Sequence, residues 1–179
     1  RAAVCVGTGP SLEGNYEALA HRTDDVLVIV CETAYKYLCG HSIIPDIVVT
    51  AEEQMPVALA FTGLESWYPS CSLACSTTSC SFGLHLAHKA GADLFFYNNA
   101  HPMLIDDGRY VVGRLPRRVP ALTPACGSIL FHAVALARWM GICDVARRAR
   151  IRSNPDSPGR LRSSRIRWTS RPVIIRRIA

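Results

Sequence analysis

The chain has 179 residues, of which 49% are hydrophobic, and this composition predicts a globular fold with an apolar core. No apolar run approaches the roughly 20 residues that a membrane-spanning helix needs, so we expect no membrane partner. The formal net charge of +6 arises at the end of the chain: residues 147–179 contain 11 Arg and one Asp, whereas residues 1–146 contain 9 Lys and Arg against 13 Asp and Glu. The predicted folded part is therefore acidic, and we expect no nucleic-acid partner.

The eight cysteines do not follow the spacing of a zinc site. Cys71, Cys75 and Cys80 are separated by three and four residues, which differs from the CxxC pairs of zinc sites. Cys5 and Cys31 fall inside apolar runs, where cysteine acts as a small hydrophobic residue. We therefore predict reduced structural thiols, no metal site and a cytoplasmic protein.

Short apolar runs alternate with segments of helical period along most of the chain. The run VLVIV at residues 26–30 is continuously apolar, which is typical of a strand that is covered on both faces. Alternating strands and helices predict the α/β class, as a Rossmann-like, mostly parallel sheet with helices on both faces. The predicted strands are residues 2–6, 26–30, 47–50, 72–76 and 94–97, and the predicted helices are 13–21, 33–39, 57–64, 82–90 and 128–140.

The end of the chain differs in character from the rest. A further buried strand is due after residue 143, but the sequence becomes rich in Arg, Pro and Ser and loses its hydrophobic period. We predict that the final strand is missing, so that the C-terminal part of a domain at residues 1–146 is incomplete. For residues 147–179 the hypotheses are a disordered tail or an out-of-frame translation, with a basic nucleic-acid-binding arm as the alternative.

A Gly-rich turn follows the first predicted strand, in the stretch VGTGPSLEGN. Gly7 and Gly9, with Thr8 between them and Pro10 after them, allow the backbone to turn tightly and approach a ligand. Ser11 can cap the following predicted helix, whose free N–H groups attract an anion. The third glycine of the GxGxxG fingerprint is absent, as is a Walker GK[ST] motif. The turn is a candidate phosphate-binding site, with a plain structural turn as the alternative.

Acidic residues stand at the ends of the next two predicted strands. Glu32 ends the second strand, 23 residues after Gly9, and in a dinucleotide-binding fold an acid at this place binds a ribose hydroxyl. An NAD-dependent oxidoreductase is therefore one alternative function. Asp46 starts the third strand, and Glu52 and Glu53 follow its end. Carboxylates there could bind a sugar, a divalent ion or a base, or belong to a solvated loop.

A second Gly-Ser pair precedes the longest predicted helix. Gly127 permits close approach of the backbone, and Ser128 can cap the helix, so this pair is a second candidate anion site. A simple helix cap is the alternative interpretation.

Three blocks of the sequence resemble one known family. VGTGPSLEGNYEAL resembles its opening G-x-GPSL turn, VIVCETAYKYLCGHSIIPDIVVTAEEQ resembles the strand, helix and strand that follow, and ALTPACGSILFHAVALARWMGIC resembles its third block. The family is the MptE-like domain, shared by 6-hydroxymethylpterin diphosphokinases and the motility accessory factor (Maf) flagellin glycosyltransferases. The resemblance covers residues 2–146 and implies a Rossmann-like domain that binds a phosphorylated nucleotide.

The resemblance also implies a transferase. In the Maf-like branch the donor would be a nucleotide-activated, CMP-type nonulosonic sugar, and the acceptor would be flagellin. In the diphosphokinase branch ATP with Mg²⁺ would give pyrophosphate to a pterin. A non-catalytic nucleotide-binding fragment is a further alternative. The run Glu52-Glu53-Gln54 is nearer to the Asp-Pro-Gln-like run of Maf-like proteins than to the acidic run of the pterin branch, so the Maf-like activity is our leading hypothesis.

The resemblance assigns expected roles to three groups of residues. Those expected to hold the phosphate of the donor are Gly7, Thr8, Gly9, Pro10 and Ser11, with Gly127 and Ser128 as a second backbone cradle. Those expected to line the nucleotide pocket are Glu32 and Thr33. Those expected to flank the donor or acceptor, as candidate catalytic residues, are Asp46, Glu52 and Glu53.

Overall fold

The computed structural model of the chain describes residues 2–99, 105–106, 109–110, 121–122 and 128–148. Within these ranges, seven parallel strands form the main sheet and two further strands form a small antiparallel pair. The strands of the main sheet are β1 (Ala2–Val6), β2 (Val26–Cys31), β3 (Ile47–Thr50), β4 (Ser72–Ser76), β5 (Asp93–Asn99), β8 (Ala121–Leu122) and β9 (Asp144–Arg148). The antiparallel pair is β6 (Ile105–Asp106) and β7 (Arg109–Tyr110). The helices are α1 (Glu17–Ala20), α2 (Glu32–Gly40), α3 (Met55–Ala58), a 3-10 turn (Leu59–Phe61), α4 (Ser81–Lys89) and α5 (Ile129–Trp139).

The order of strands in the main sheet reverses at β1. The order is β8-β5-β4-β3-β2-β1-β9, so the chain steps outward from β1 through β5 to β8. It then returns by way of α5 to β9, on the other side of β1. In open parallel sheets, ligands bind beyond the carboxyl ends of the strands at such a reversal.

Apolar side chains cover both faces of the sheet. Alternate residues of a strand point to opposite faces, so Val28, Val30 and Val48 pack with α2 and α4, whereas Ile29 and Val49 pack with α5. All five side chains are fully buried. This double coverage explains why the strands are continuously apolar, and it confirms the predicted α/β class with helices on both faces.

The five predicted strands are all confirmed, and the predicted helices at 33–39, 82–90 and 128–140 correspond to α2, α4 and α5. The helix predicted at 57–64 is instead α3 followed by the 3-10 turn. The prediction that the final strand is missing is wrong, because β9 pairs in parallel with β1 along its whole length. Even an Arg-rich end can complete the sheet, since an edge strand needs only its backbone to pair. The hypotheses about residues 149–179 concern residues outside those described.

The first predicted helix, with Ser11 as its cap, is corrected. α1 occupies only Glu17–Ala20, and its N-cap residue is Tyr16. Gly14 lowers helix propensity in this stretch, and the Asn15 side-chain amide donates to the Ser11 carbonyl at 2.8 Å, which favours turns over a continuous helix. An anion at this turn would therefore be held by the backbone of the turn itself rather than by a helix dipole.

Candidate functional site

The carboxyl ends of the parallel strands bring separate parts of the sequence to one edge of the main sheet. This edge, called the carboxyl edge below, comprises residues 7–11 after β1, 32–33 after β2, 51–54 after β3, 77–80 after β4, and Ser128 before α5. Because all these strands run in the same direction, residues that are far apart in sequence become neighbours here. The predicted residues 7–11, 32–33, 52–53 and 128 all lie at this edge, and their binding roles stay predictions.

The turn after β1 is anchored to the core on its inner side and exposed to solvent on its outer side. The Gly7 backbone is buried and Gly9 is partly exposed, while Thr8 and Pro10 are exposed to solvent. The backbone N–H of Leu12 donates to the Gly9 carbonyl at 2.8 Å, and the Leu12 side chain is buried in the core. The turn is thus held in place, and neighbouring side chains leave its outer surface accessible to a ligand.

A pair of hydroxyls joins this turn to the end of β2. The Oγ1 atoms of Thr8 and Thr33 are 3.2 Å apart, within hydrogen-bond distance. The Oγ1 atom of Thr33 also lies 3.3 Å from the Sγ atom of Cys31. The two segments that were predicted separately to bind phosphate and nucleotide are therefore in direct contact.

Glu32 is the most unusual residue of the carboxyl edge. It is only 3% exposed, and among the described residues its Oε2 atom has no hydrogen-bond partner. Desolvation by burial, with a smaller contribution from the nearby charge of Glu52, raises the pKa of Glu32 from 4.5 to about 7. A buried polar atom without a partner is costly and needs an explanation, which a ligand or a bound proton would supply.

The segment after β3 is held from two sides, and it carries the two predicted acids Glu52 and Glu53. The Thr50 carbonyl accepts hydrogen bonds from the Ser79 hydroxyl at 3.1 Å and from the Tyr97 hydroxyl at 3.2 Å. The Glu52 carbonyl accepts from the Cys80 N–H at 2.8 Å. Glu52 is partly exposed and Glu53 is exposed, so both carboxylates can reach solvent or a ligand.

A buried Tyr–His pair lies beneath this edge, and it was not predicted from the sequence. The Tyr97 hydroxyl lies 2.9 Å from Nδ1 of His132, and both residues are buried. Because the single Tyr97 proton is given to the Thr50 carbonyl, His132 is assigned as the donor to the Tyr97 oxygen. This chain of hydrogen bonds links α5 to the end of β3. The two residues are 35 positions apart, and no local pattern pairs them.

A hydroxyl-rich loop after β4 was also missed. The Oγ atom of Ser76 lies 3.0 Å from Oγ1 of Thr78, and the Thr77 hydroxyl donates to Oδ1 of Asn98 at 3.3 Å. The loop therefore presents neutral hydrogen-bonding groups beside Glu52. The run of Ser and Thr directly after a predicted strand was the available signal.

Asp46 lies elsewhere, because it precedes β3 rather than following it. One carboxylate oxygen accepts a hydrogen bond from the Val28 N–H at 2.7 Å, and the carboxylate pairs with Arg22 at 3.2 Å. The length of β3 separates it from Glu52 and Glu53 by about 13 Å. The structure does not bring Asp46 together with the other predicted catalytic residues, and we interpret it as a structural residue.

The second predicted cradle is only partly described. Ser128 is the N-cap residue of α5, with an extended backbone, but its side chain makes no capping hydrogen bond. It is exposed at the carboxyl edge. Gly127 lies outside the described residues.

Comparison with known protein families identifies the family of this chain. The sequence profile described as "6-hydroxymethylpterin diphosphokinase MptE-like" matches residues 1–144, which is most of the chain. The chain belongs to the MptE-like family. This confirms the resemblance drawn from the three sequence blocks.

The MptE-like chain also shares its fold with a solved protein described as a MAf glycosyltransferase from Magnetospirillum magneticum AMB-1. The TM-score is 0.64 at 20% sequence identity, and the match covers 81% of this chain. The chain spans only 22% of the length of that glycosyltransferase. A search of curated proteins found no match.

Within the described residues, no group of three or more His, Cys, Asp or Glu side chains is arranged to hold a metal ion. None of the helices in those ranges has the length and apolarity to cross a bilayer.

Asp46→Ala should lower the free energy of unfolding by about 1–3 kcal/mol, because it removes the partner of the Val28 N–H and of Arg22. Urea unfolding measures this change. The matched control is Asp24→Ala, since Asp24 is an exposed acid in the turn before β2. Equal stability of the two variants would show that the Asp46 contacts contribute nothing.

Glu32→Gln should change how stability depends on pH. The folded state keeps the Glu32 proton up to a pKa of about 7, whereas the unfolded chain releases it near 4.5. Over this window the native state binds more protons, so stability falls as the pH rises, by about 3 kcal/mol in total. Urea unfolding at pH 5 and pH 8 should show this fall in the wild type and in the exposed-acid control Glu65→Gln, but not in Glu32→Gln. Parallel profiles for all three proteins would contradict the assignment.

Proposed function

We propose that this chain is the donor-binding part of a Maf-like glycosyltransferase. Its donor would be a CMP-activated nonulosonic sugar, and its acceptor a hydroxyl group of flagellin. Membership of the MptE-like family and the fold shared with the MAf glycosyltransferase support this choice. The observation that carries it is the accessible turn after β1, joined by the Thr8–Thr33 contact to the buried acid Glu32.

The proposed chemistry divides between these parts. Backbone N–H groups of the turn would bind the donor phosphate and stabilise the charge that develops on it as its bond to the sugar breaks. Glu32 and Thr33 would line the nucleotide pocket, and Glu52 and Glu53 would lie towards the transferred group. The hydroxyls of Thr77 and Thr78 would provide further hydrogen bonds there.

A second candidate is 6-hydroxymethylpterin diphosphokinase, which is favoured by the description of the family. The same turn would then bind ATP. Mg²⁺ would accompany the nucleotide and neutralise its phosphates, but the described residues offer no preformed cluster of three ligands for it. A third candidate is a nucleotide-binding module without catalysis, since the chain spans 22% of the MAf glycosyltransferase.

Thermal unfolding in the presence of ligands separates these candidates. CMP at about a hundred times its Kd should stabilise the chain by about 3 kcal/mol without metal, a rise in Tm of about 5–10 °C. Gly9→Val should abolish the shift, because its side chain fills the space that the phosphate would occupy. The matched control is Gly14→Val, since a Cβ atom at Gly14 meets nothing within 4 Å.

Each other result decides against part of the proposal. An unchanged shift in Gly9→Val would show that the turn does not hold the phosphate. A shift with ATP and Mg²⁺ but not with CMP would favour the diphosphokinase, and a shift with NAD alone would indicate an oxidoreductase. Binding of CMP without release of CMP from its activated sugar would favour the non-catalytic module.

A further inference from the structure

The carboxyl edge poses an electrostatic problem for an anionic ligand. Its segments after β1 to β4, residues 7–11, 32–33, 51–54 and 77–80, contain three Glu and no Lys or Arg. A phosphate that binds there without a counter-charge meets like charges at short range, and this repulsion is strong where water is excluded.

The nearest cation along the chain is already engaged. Lys36 lies one helical turn after Glu32 in α2, and its amine donates hydrogen bonds to the carbonyls of Leu59, at 3.3 Å, and Thr62. These contacts hold the 3-10 turn against α2. Lys36 therefore has a structural role. Arg147 and Arg148 of β9 pair with Cys5 and Val6 of β1, on the side of β1 away from β2, so the acids that follow β2 and β3 have no basic residue in their own segments.

The position of Glu32 favours protonation of its own carboxyl group, which would remove one of these negative charges. It is buried at the point where the turn after β1 meets α2, and its Oε2 atom has no partner among the described residues. The groups that face it are the Glu52 carboxylate after β3 and the Tyr97 phenol of β5, with His132 of α5 behind Tyr97. Burial and the charge of Glu52 oppose a negative charge on Glu32, and together they outweigh the hydrogen bond from its own backbone N–H, which favours the charged form.

We propose that Glu32 acts as a neutral carboxylic acid, which donates a hydrogen bond to an anionic oxygen of the bound nucleotide. This deepens the proposed function and rests on it. A protonated carboxyl group has one O–H donor, and the proton comes from solvent. The ligand oxygen supplies the partner that Oε2 lacks, and binding takes up one proton when free Glu32 is ionised. The raised pKa of Glu32, about 7, is consistent with this state.

Isothermal titration calorimetry with CMP tests the proposal between pH 7 and pH 9. In this range the phosphate of CMP keeps its charge, because its second pKa is about 6. If only the protonated form of Glu32 binds, the apparent Kd of the wild type should rise about 50-fold from pH 7 to pH 9. Titrations in two buffers of different ionisation enthalpy should show uptake of about one proton at the higher pH.

Two variants and a control make the test specific. Glu32→Gln keeps an N–H donor but cannot titrate, so its Kd should stay constant from pH 7 to pH 9, with no proton uptake. Glu32→Ala has no donor, and it should bind about tenfold more weakly than Glu32→Gln at pH 7. The exposed control Glu65→Gln should follow the wild type.

The possible failures are distinguishable. Binding that depends on Gly9 but not on pH would overturn the role of Glu32 and leave the proposed function standing. Affinity that rises with pH and requires a divalent cation would show that Glu32 binds as a carboxylate, which also overturns this proposal. Absence of CMP binding by the wild type would remove both.

Discussion

Parallel pairing is the constraint on which the site depends. Each strand of the main sheet runs in the same direction, so each delivers the residues after it to a single edge. The order of strands reverses at β1, which is where ligands bind in open parallel sheets, and the solvent-exposed turn of residues 7–11 lies there. The site is thus a property of topology, and the side chains that line it come from five separate segments.

One polar side chain at this edge, that of Glu32, is buried at a cost in free energy. Glu32 gives up hydration and obtains no partner for Oε2 among the described residues, while the neighbouring polar groups are well paired. Tyr97, His132 and Ser79 all contribute to fixing the end of β3 through the Thr50 carbonyl. A rigid, hydrogen-bonded frame around one unsatisfied acid is the arrangement expected where a ligand completes the pairing.

The sequence predicted the sheet well because double coverage makes a strand continuously apolar, as in residues 26–30. It predicted the carboxyl edge because strand ends carry Gly7, Glu32 and Glu52 in recognisable order. It failed at α1, where a side-chain contact of Asn15 competes with helix formation. Asp46 was wrongly grouped with Glu52 and Glu53, because the start and the end of β3 were treated as a single edge of the sheet. The Tyr97–His132 contact depends on how α5 crosses the sheet, which no local pattern encodes.

The central claim is that the turn after β1 binds the charged group of a nucleotide. Amide proton–nitrogen NMR spectra recorded during a titration with CMP test it most directly. We expect the largest, saturable shifts at the amides of Thr8, Gly9 and Thr33, with little change at Asp24 and Asp46, which precede β2 and β3 at the opposite edge. Shifts confined to that opposite edge, or spread evenly over the chain, would contradict the claim.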